Sequence, residues 1–198
     1  MRKSSCCTAA QHVPQSGNKL THTSGDSWSD IAFSLTGEQP GPDSPFGNSF
    51  PSYPEETAIF GAHWFMYLTT EFNKSYIETY CLARSSGTVN ASITPHGTDD
   101  FVKVLQGDFL PIYGGPSESG WHSSSSLFAM FFGVNDINMV AEEWEDDIPM
   151  ILDEIFATYI SLVGQVSTMT FTNDNRAEGT SSFTRPALVT SYSLICHQ

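Results

Sequence analysis

Three short blocks carry the residue types that chemistry would need: Gly25-Asp26-Ser27, Ser85-Ser86-Gly87 and Gly133-Val134-Asn135-Asp136. In the first, a serine follows a glycine and an aspartate, a composition that presents a hydroxyl on a tight turn between a strand and a helix. Glycine tolerates the backbone angles of such a turn, and Asp26 can accept hydrogen bonds from nearby backbone N–H groups. Ser29-Asp30 is expected to cap a helix over the next residues. The second block, a Ser/Gly turn after a strand, can aim backbone N–H groups at an anion. The third contributes a side-chain amide. Each block alone also reads as an ordinary connecting turn, and their meaning rests on what positions them.

A buried parallel strand before Ser27 would normally be a Val, Ile, Leu or Phe run. Residues Gly17 to Thr23 offer only Leu20, so the strand there is expected to be short, marginal or missing, and residues 1–22 read as a mobile leader. Thr36 to Glu56 is a long Pro/Gly/Ser/Asn-rich loop whose Phe46, Phe50 and Tyr53 suit stacking on a sugar-like ligand or pinning the loop to the body. Phe60, Trp64, Leu68 and Phe72, with Phe65 beside them, predict a helix face over 57–72. Tyr76–Ala83 reads as a strand. Thr98-Asp99-Asp100 caps a helix with Phe101, Val102, Leu105 and Phe109 inward, stopped by Pro111 and Gly114. Leu127–Phe132 is a buried central strand, and Glu142–Val166 a helix burying Ile148, Ile151, Leu152, Ile155, Phe156, Tyr159 and Val163. Strand–helix alternation predicts an α/β domain with a mostly parallel sheet, whose active site lies at the carboxyl ends of the strands. The second and third blocks fall there, and Ser27 does too if a strand precedes it.

Composition bounds the partners. The chain has 198 residues, 39% of them hydrophobic, and a formal charge of −14 from 22 acidic and 8 basic residues. Such a chain is repelled by nucleic-acid backbones and anionic membrane surfaces. No apolar run approaches the roughly 20 residues that span a bilayer. Cys6, Cys7, Cys81 and Cys196 match no metal-site spacing. The start of the chain lacks the apolar core of a secretion signal, while Asn73-Lys-Ser75 and Asn90-Ala-Ser92 fit the N-glycosylation pattern.

The order and spacing of the three blocks resembles the SGNH (GDSL-type) hydrolases, and more closely the fungal carbohydrate esterases of the acetylesterase type. The resemblance covers roughly residues 24–166 and is carried by Gly25-Asp-Ser-Trp-Ser-Asp30, Thr36-Gly-Glu-Gln-Pro40, Pro45-Phe-Gly-Asn48, Trp64–Thr70, Tyr80-Cys-Leu-Ala83, Thr88-Val-Asn-Ala91 and Phe132-Gly-Val-Asn-Asp-Ile137. It implies a three-layer α/β/α, flavodoxin-like fold and hydrolysis of carbohydrate O-acetyl groups through an acyl-enzyme on Ser27. It further implies an oxyanion hole built from the Ser27 N–H, a second-block N–H and the Asn135 amide, with Asp26 holding its turn and Asp136 its own loop. No metal or organic cofactor is implied; the protein would be a secreted monomer taking an acylated carbohydrate or other small ester, with neither nucleic acid nor membrane as partner.

The chain departs from the family pattern in two places. Ser86 stands where the family has glycine, with Gly87 one place later, so that turn is expected to be shifted. Nothing beyond residue 136 matches the Asp-x-x-His block that supplies base and orienting acid: His197 is preceded three places earlier by Leu194, and His12, His22, His63, His96 and His122 lie elsewhere. The expected organisation is therefore a leader (1–22), a partial hydrolase domain (23–166) and a poorly ordered tail (167–198) with no strand comparable to 127–132. The expected activity of such an incomplete chain is nil, and its alternatives are a saccharide-binding pseudo-enzyme using the aromatic loop or a fragment that does not fold stably.

Overall fold

The structure, a computed structural model, describes residues 19–47, 57, 61–97, 99–114, 125–143, 147–178 and 187–190. Four parallel strands form one sheet: β1 (Lys19–Gly25), β2 (Ile77–Cys81), β3 (Ser126–Phe131) and β4 (Ala187–Thr190), in the order β2-β1-β3-β4. This is the expected α/β class, and the order is that of flavodoxin-like sheets. The chain moves outward from β1 to β2, then crosses back to place β3 on the other side of β1. A crevice therefore opens between the carboxyl ends of β1 and β3, where such sheets bind ligands.

The strand doubted before Ser27 is the centre of the sheet. Its register sets His22 opposite Tyr80 on one side and Phe128 on the other. The His22 ring stacks on both, at 5.2 and 5.0 Å between centroids, and is closed in by Phe109 and Tyr113. Thr21 and Thr23, on the opposite face, are buried as well. Residues 19–22 thus belong to the domain, not to a leader; residues 1–18 lie outside those described. Backbone pairing on both edges and an aromatic cage replace the missing aliphatic run.

Helices cover both faces. α1 (Trp64–Thr70) lies on the Thr79 side, where the Thr69 and Thr79 hydroxyls meet at 2.6 Å. The opposite face, with His22, Phe128 and Met130, is covered by a π-helix (Lys103–Phe109), which runs on as α2 (Leu110–Tyr113), and by Val166 of α4 (Ile148–Glu178). α3 (Val134–Glu143) packs against α4.

Several expected boundaries move, each for a physical reason. α1 begins at Trp64 and buries Phe65, Met66 and Thr69, while Leu68 and Phe72 are exposed. A row spaced by four slides about 40° around a helix at each step, so the predicted row leaves the buried face. Pro111 does not stop its helix. The Leu110 N–H reaches back five residues to Leu105, and this widened turn makes room for a ring that lacks a donor. The predicted helix over 142–166 is two helices, with Pro149 in the first turn of the second, where its missing N–H costs nothing. Ile155 and Tyr159 are buried as expected and Ile148, Ile151, Leu152 and Val163 pack against the core half-buried, while Leu162 and Val166 join the fully buried face. Within the expected tail, α4 continues to Glu178 and β4 pairs with β3; residues 179–186 and 191–198 lie outside those described.

The loop after Thr36 is held closely where it is described. Gly47 has φ +68° and the Pro45 carbonyl accepts the Thr79 N–H at 2.9 Å. Phe46 is in the core, edge-on to Phe65, and so presents no stacking surface. Phe50 and Tyr53 lie outside the described residues.

Candidate active site

The serine turn starts from a close approach of backbones. Asp26 N–H donates to the Phe131 carbonyl at 3.2 Å, and a Cβ on Gly25 would stand 2.5 Å from that oxygen, so only glycine fits. The Asp26 carboxylate accepts the Trp28 N–H at 2.9 Å, and the Asp26 carbonyl accepts the Ser29 N–H at 3.0 Å. Ser27 sits at the crest, half-buried, its hydroxyl in no hydrogen bond among the described residues.

Ser29 and Asp30 do not start a helix; Ala32 is left-handed at φ +55°. They clamp instead. Ser29 is fully buried, its hydroxyl accepting the Trp64 indole N–H at 3.2 Å and its carbonyl the Cys81 thiol at 3.0 Å. Burial pushes that thiol up to about 12, well away from thiolate chemistry. Cys6, Cys7 and Cys196 lie outside the described residues. Asp30 reaches across to the second block, accepting the Ser85 N–H at 2.7 Å and its hydroxyl at 2.8 Å. This bond is not legible in the sequence, because nothing in a Ser-Asp pair distinguishes a cap from a partner 55 residues away.

The second turn is bound to the first on its other side too: Arg84 N–H donates to the Gly25 carbonyl at 2.9 Å. Ser86 has φ +63°, a conformation in which glycine costs nothing and other residues are strained. Ser86 therefore stands in a glycine-type backbone position, while Gly87 fills a tight space in which a Cβ would lie 2.9 Å from the Arg84 carbonyl.

The third turn completes the set. The Asn135 side chain donates to the Gly87 carbonyl at 2.9 Å, which leaves the second N–H of its amide uncommitted among the described residues. Asn135 lies in the first turn of α3, at the positive end of the helix dipole. Asp136 was expected to anchor its own loop. It bonds its own backbone N–H and also holds the segment after the second block, accepting the Val89 N–H at 3.1 Å and the Thr94 hydroxyl at 2.6 Å. Ser27, Ser86 and Asn135 are thus brought to three turns joined directly by hydrogen bonds, at the carboxyl ends of β1, β2 and β3.

Two buried carboxyls stand behind these turns. Burial raises Asp136 above the ordinary carboxylate range, against the opposing pull of its Thr94 and Val89 donors. Burial likewise pushes Asp26 up to about 6, opposed by the Trp28 N–H and reinforced by the Asp136 charge. Oδ2 of Asp26 is buried with no hydrogen-bond partner among the described residues, which is why burial dominates there.

No described histidine is hydrogen-bonded to Ser27. Burial holds His22 down to about 3 inside the core. His63 is fully buried behind the serine turn with Nε2 at 3.0 Å from the Asp30 carbonyl, and burial lowers its pKa. His96 is half-buried on the second-block loop. His12, His122 and His197 lie outside the described residues.

No known family profile matches the chain. The chain is similar to an acetylesterase of Thermothelomyces thermophilus, 32% identical over 146 residues, which cover 71% of this chain and 46% of that protein. It spans about half the length of the curated relative it matches, and the relationship is to an ester hydrolase.

Proposed function

We propose that this chain carries the nucleophile and oxyanion half of a serine ester hydrolase of the SGNH type, acting on O-acetyl groups of carbohydrates outside the cell. The observation that carries this reading is the meeting of Ser27, Ser86 and Asn135 on three turns joined by hydrogen bonds at the carboxyl ends of β1, β2 and β3. The similarity to an acetylesterase supports it.

In this reading the Ser27 Oγ attacks the acetyl carbonyl, and its proton passes to the departing sugar oxygen as that oxygen's bond to the acyl carbon breaks. The acetyl ester left on Ser27 is attacked by water, one of whose protons goes to Oγ as the acyl–Oγ bond breaks and acetic acid departs. The oxyanion formed in each step is held by the Ser27 N–H, the Ser86 N–H and the free N–H of the Asn135 amide, with the α3 dipole adding to the field. Asp26 and Asp136 fix the turns and touch no reacting atom. With no histidine bonded to Ser27 among the described residues, turnover is expected to be slow. Binding and an oxyanion hole without a complete triad supply about 10³–10⁴-fold over water.

Hydrolysis of an aryl acetate by the 1–198 chain, beside its Ser27→Ala variant, tests both parts. The expected result is Ser27-dependent hydrolysis well below the roughly 10 s⁻¹ of a typical enzyme. Equal rates in the two proteins would remove Ser27 as nucleophile. A serine-dependent rate at the typical level would instead show that an unseen base is at work.

A further inference from the structure

Two of the large apolar side chains left exposed flank the proposed catalytic groups: Trp28 beside Ser27, 52% exposed, and Ile137 two residues after Asn135, 37% exposed. Trp28 stands on backbone that cannot wander. Its N–H is held by the Asp26 carboxylate at 2.9 Å, within a turn closed by the Ser29 N–H and locked below by the Trp64 indole on the Ser29 hydroxyl. An indole fixed at its root and open at its ring is a surface for stacking. A polarised flat face favours the C–H faces of a saturated ring. The charge of −14 disfavours anionic ligands.

We propose that Trp28 is the platform on which the alcohol side of the ester stacks, selecting acetates of neutral, ring-shaped alcohols such as pyranosides over linear or anionic ones. This rests on the esterase reading of the same site. It also moves the expected sugar contact from Phe46, which is buried, to the residue next to the nucleophile.

The test separates binding from turnover. In a Ser27→Ala background, calorimetry with an acetylated methyl glucopyranoside is expected to show binding that weakens about tenfold on adding Trp28→Ala and returns with Trp28→Tyr. A peracetylated linear alditol is expected to bind more weakly and to lose less. Binding that is absent, that ignores Trp28, or that drops equally for ring and chain would overturn the platform. Absence of Ser27-dependent hydrolysis in the parent would count against the esterase reading and leave a Trp28-dependent saccharide site standing.

Discussion

β1 and β3 lie side by side at the centre of the sheet, and each ends at a proposed catalytic residue, Ser27 and Asn135. Their sequences could hardly differ more: Lys-Leu-Thr-His-Thr-Ser-Gly against Ser-Leu-Phe-Ala-Met-Phe. Both are nonetheless largely buried. β3 is buried for what its side chains are, β1 for where its backbone runs. A strand paired on both edges has its main-chain donors and acceptors satisfied, and threonine's branched side chain fits the pleat. The aromatic residues that make His22 tolerable come from β2, β3 and the 103–113 helix.

Breaking the β3 end should have the largest effect. Asn135→Ala removes one of the proposed oxyanion donors and is expected to cost about 2.7–4 kcal/mol of transition-state stabilisation, read as a fall in kcat for an aryl acetate with little change in KM. An equal loss in a thermal melt would assign Asn135 to structure instead. Next comes the β1 end, where Gly25→Ala places a methyl group against the Phe131 carbonyl. A loss of about 3 kcal/mol in urea unfolding is expected, with no change of slope.

The strand interior offers a pH-resolved test. The His22 pKa falls from 6.5 to about 3 on folding, so the unfolded chain binds the proton first. Its stability contribution is present above pH 6.5 and lost as pH falls toward 3. Asp26 runs the other way: raised by folding, it makes the native state the better proton acceptor between about 6 and 3.8, and this is common to both proteins compared. Relative to its own value at pH 7.5, the advantage of His22→Phe over the parent should therefore grow by about 3 kcal/mol at pH 4.5. A pH-independent difference would mean that His22 titrates normally and that the aromatic cage does not exclude the proton. The smallest change belongs to the turn between the strands: Ser86→Gly relieves a left-handed residue and should stabilise the fold by about 1 kcal/mol in the same unfolding assay.

Legibility followed the range of the interaction. β3, the strand at Tyr76–Ala83 and the buried face of α4 were visible because local apolar periodicity reports burial by a neighbouring layer. α1 was misplaced because aromatic residues at four-residue spacing mimic a face that the helix does not keep. The continuation of the helix through Pro111 could not be seen, since it depends on one turn opening to five-residue bonds. Within the site, the three blocks and their order were legible. The clamps between them, Asp30 to Ser85 and Asp136 to Val89 and Thr94, were not.

By itself, then, the sequence determined which residues could react and the order in which they meet the chain: Ser27 behind Gly25-Asp26, a Ser/Gly turn, and an amide behind a buried strand. Only the tertiary structure decided that the polar stretch before Ser27 is the central strand, that Phe46 is core, and that Trp28 stands open beside Ser27. The physical reason is the same in each case. Hydrogen bonding in a parallel sheet joins residues far apart in the chain, and the burial it imposes on Thr21, His22 and Thr23 leaves no local mark in their chemistry.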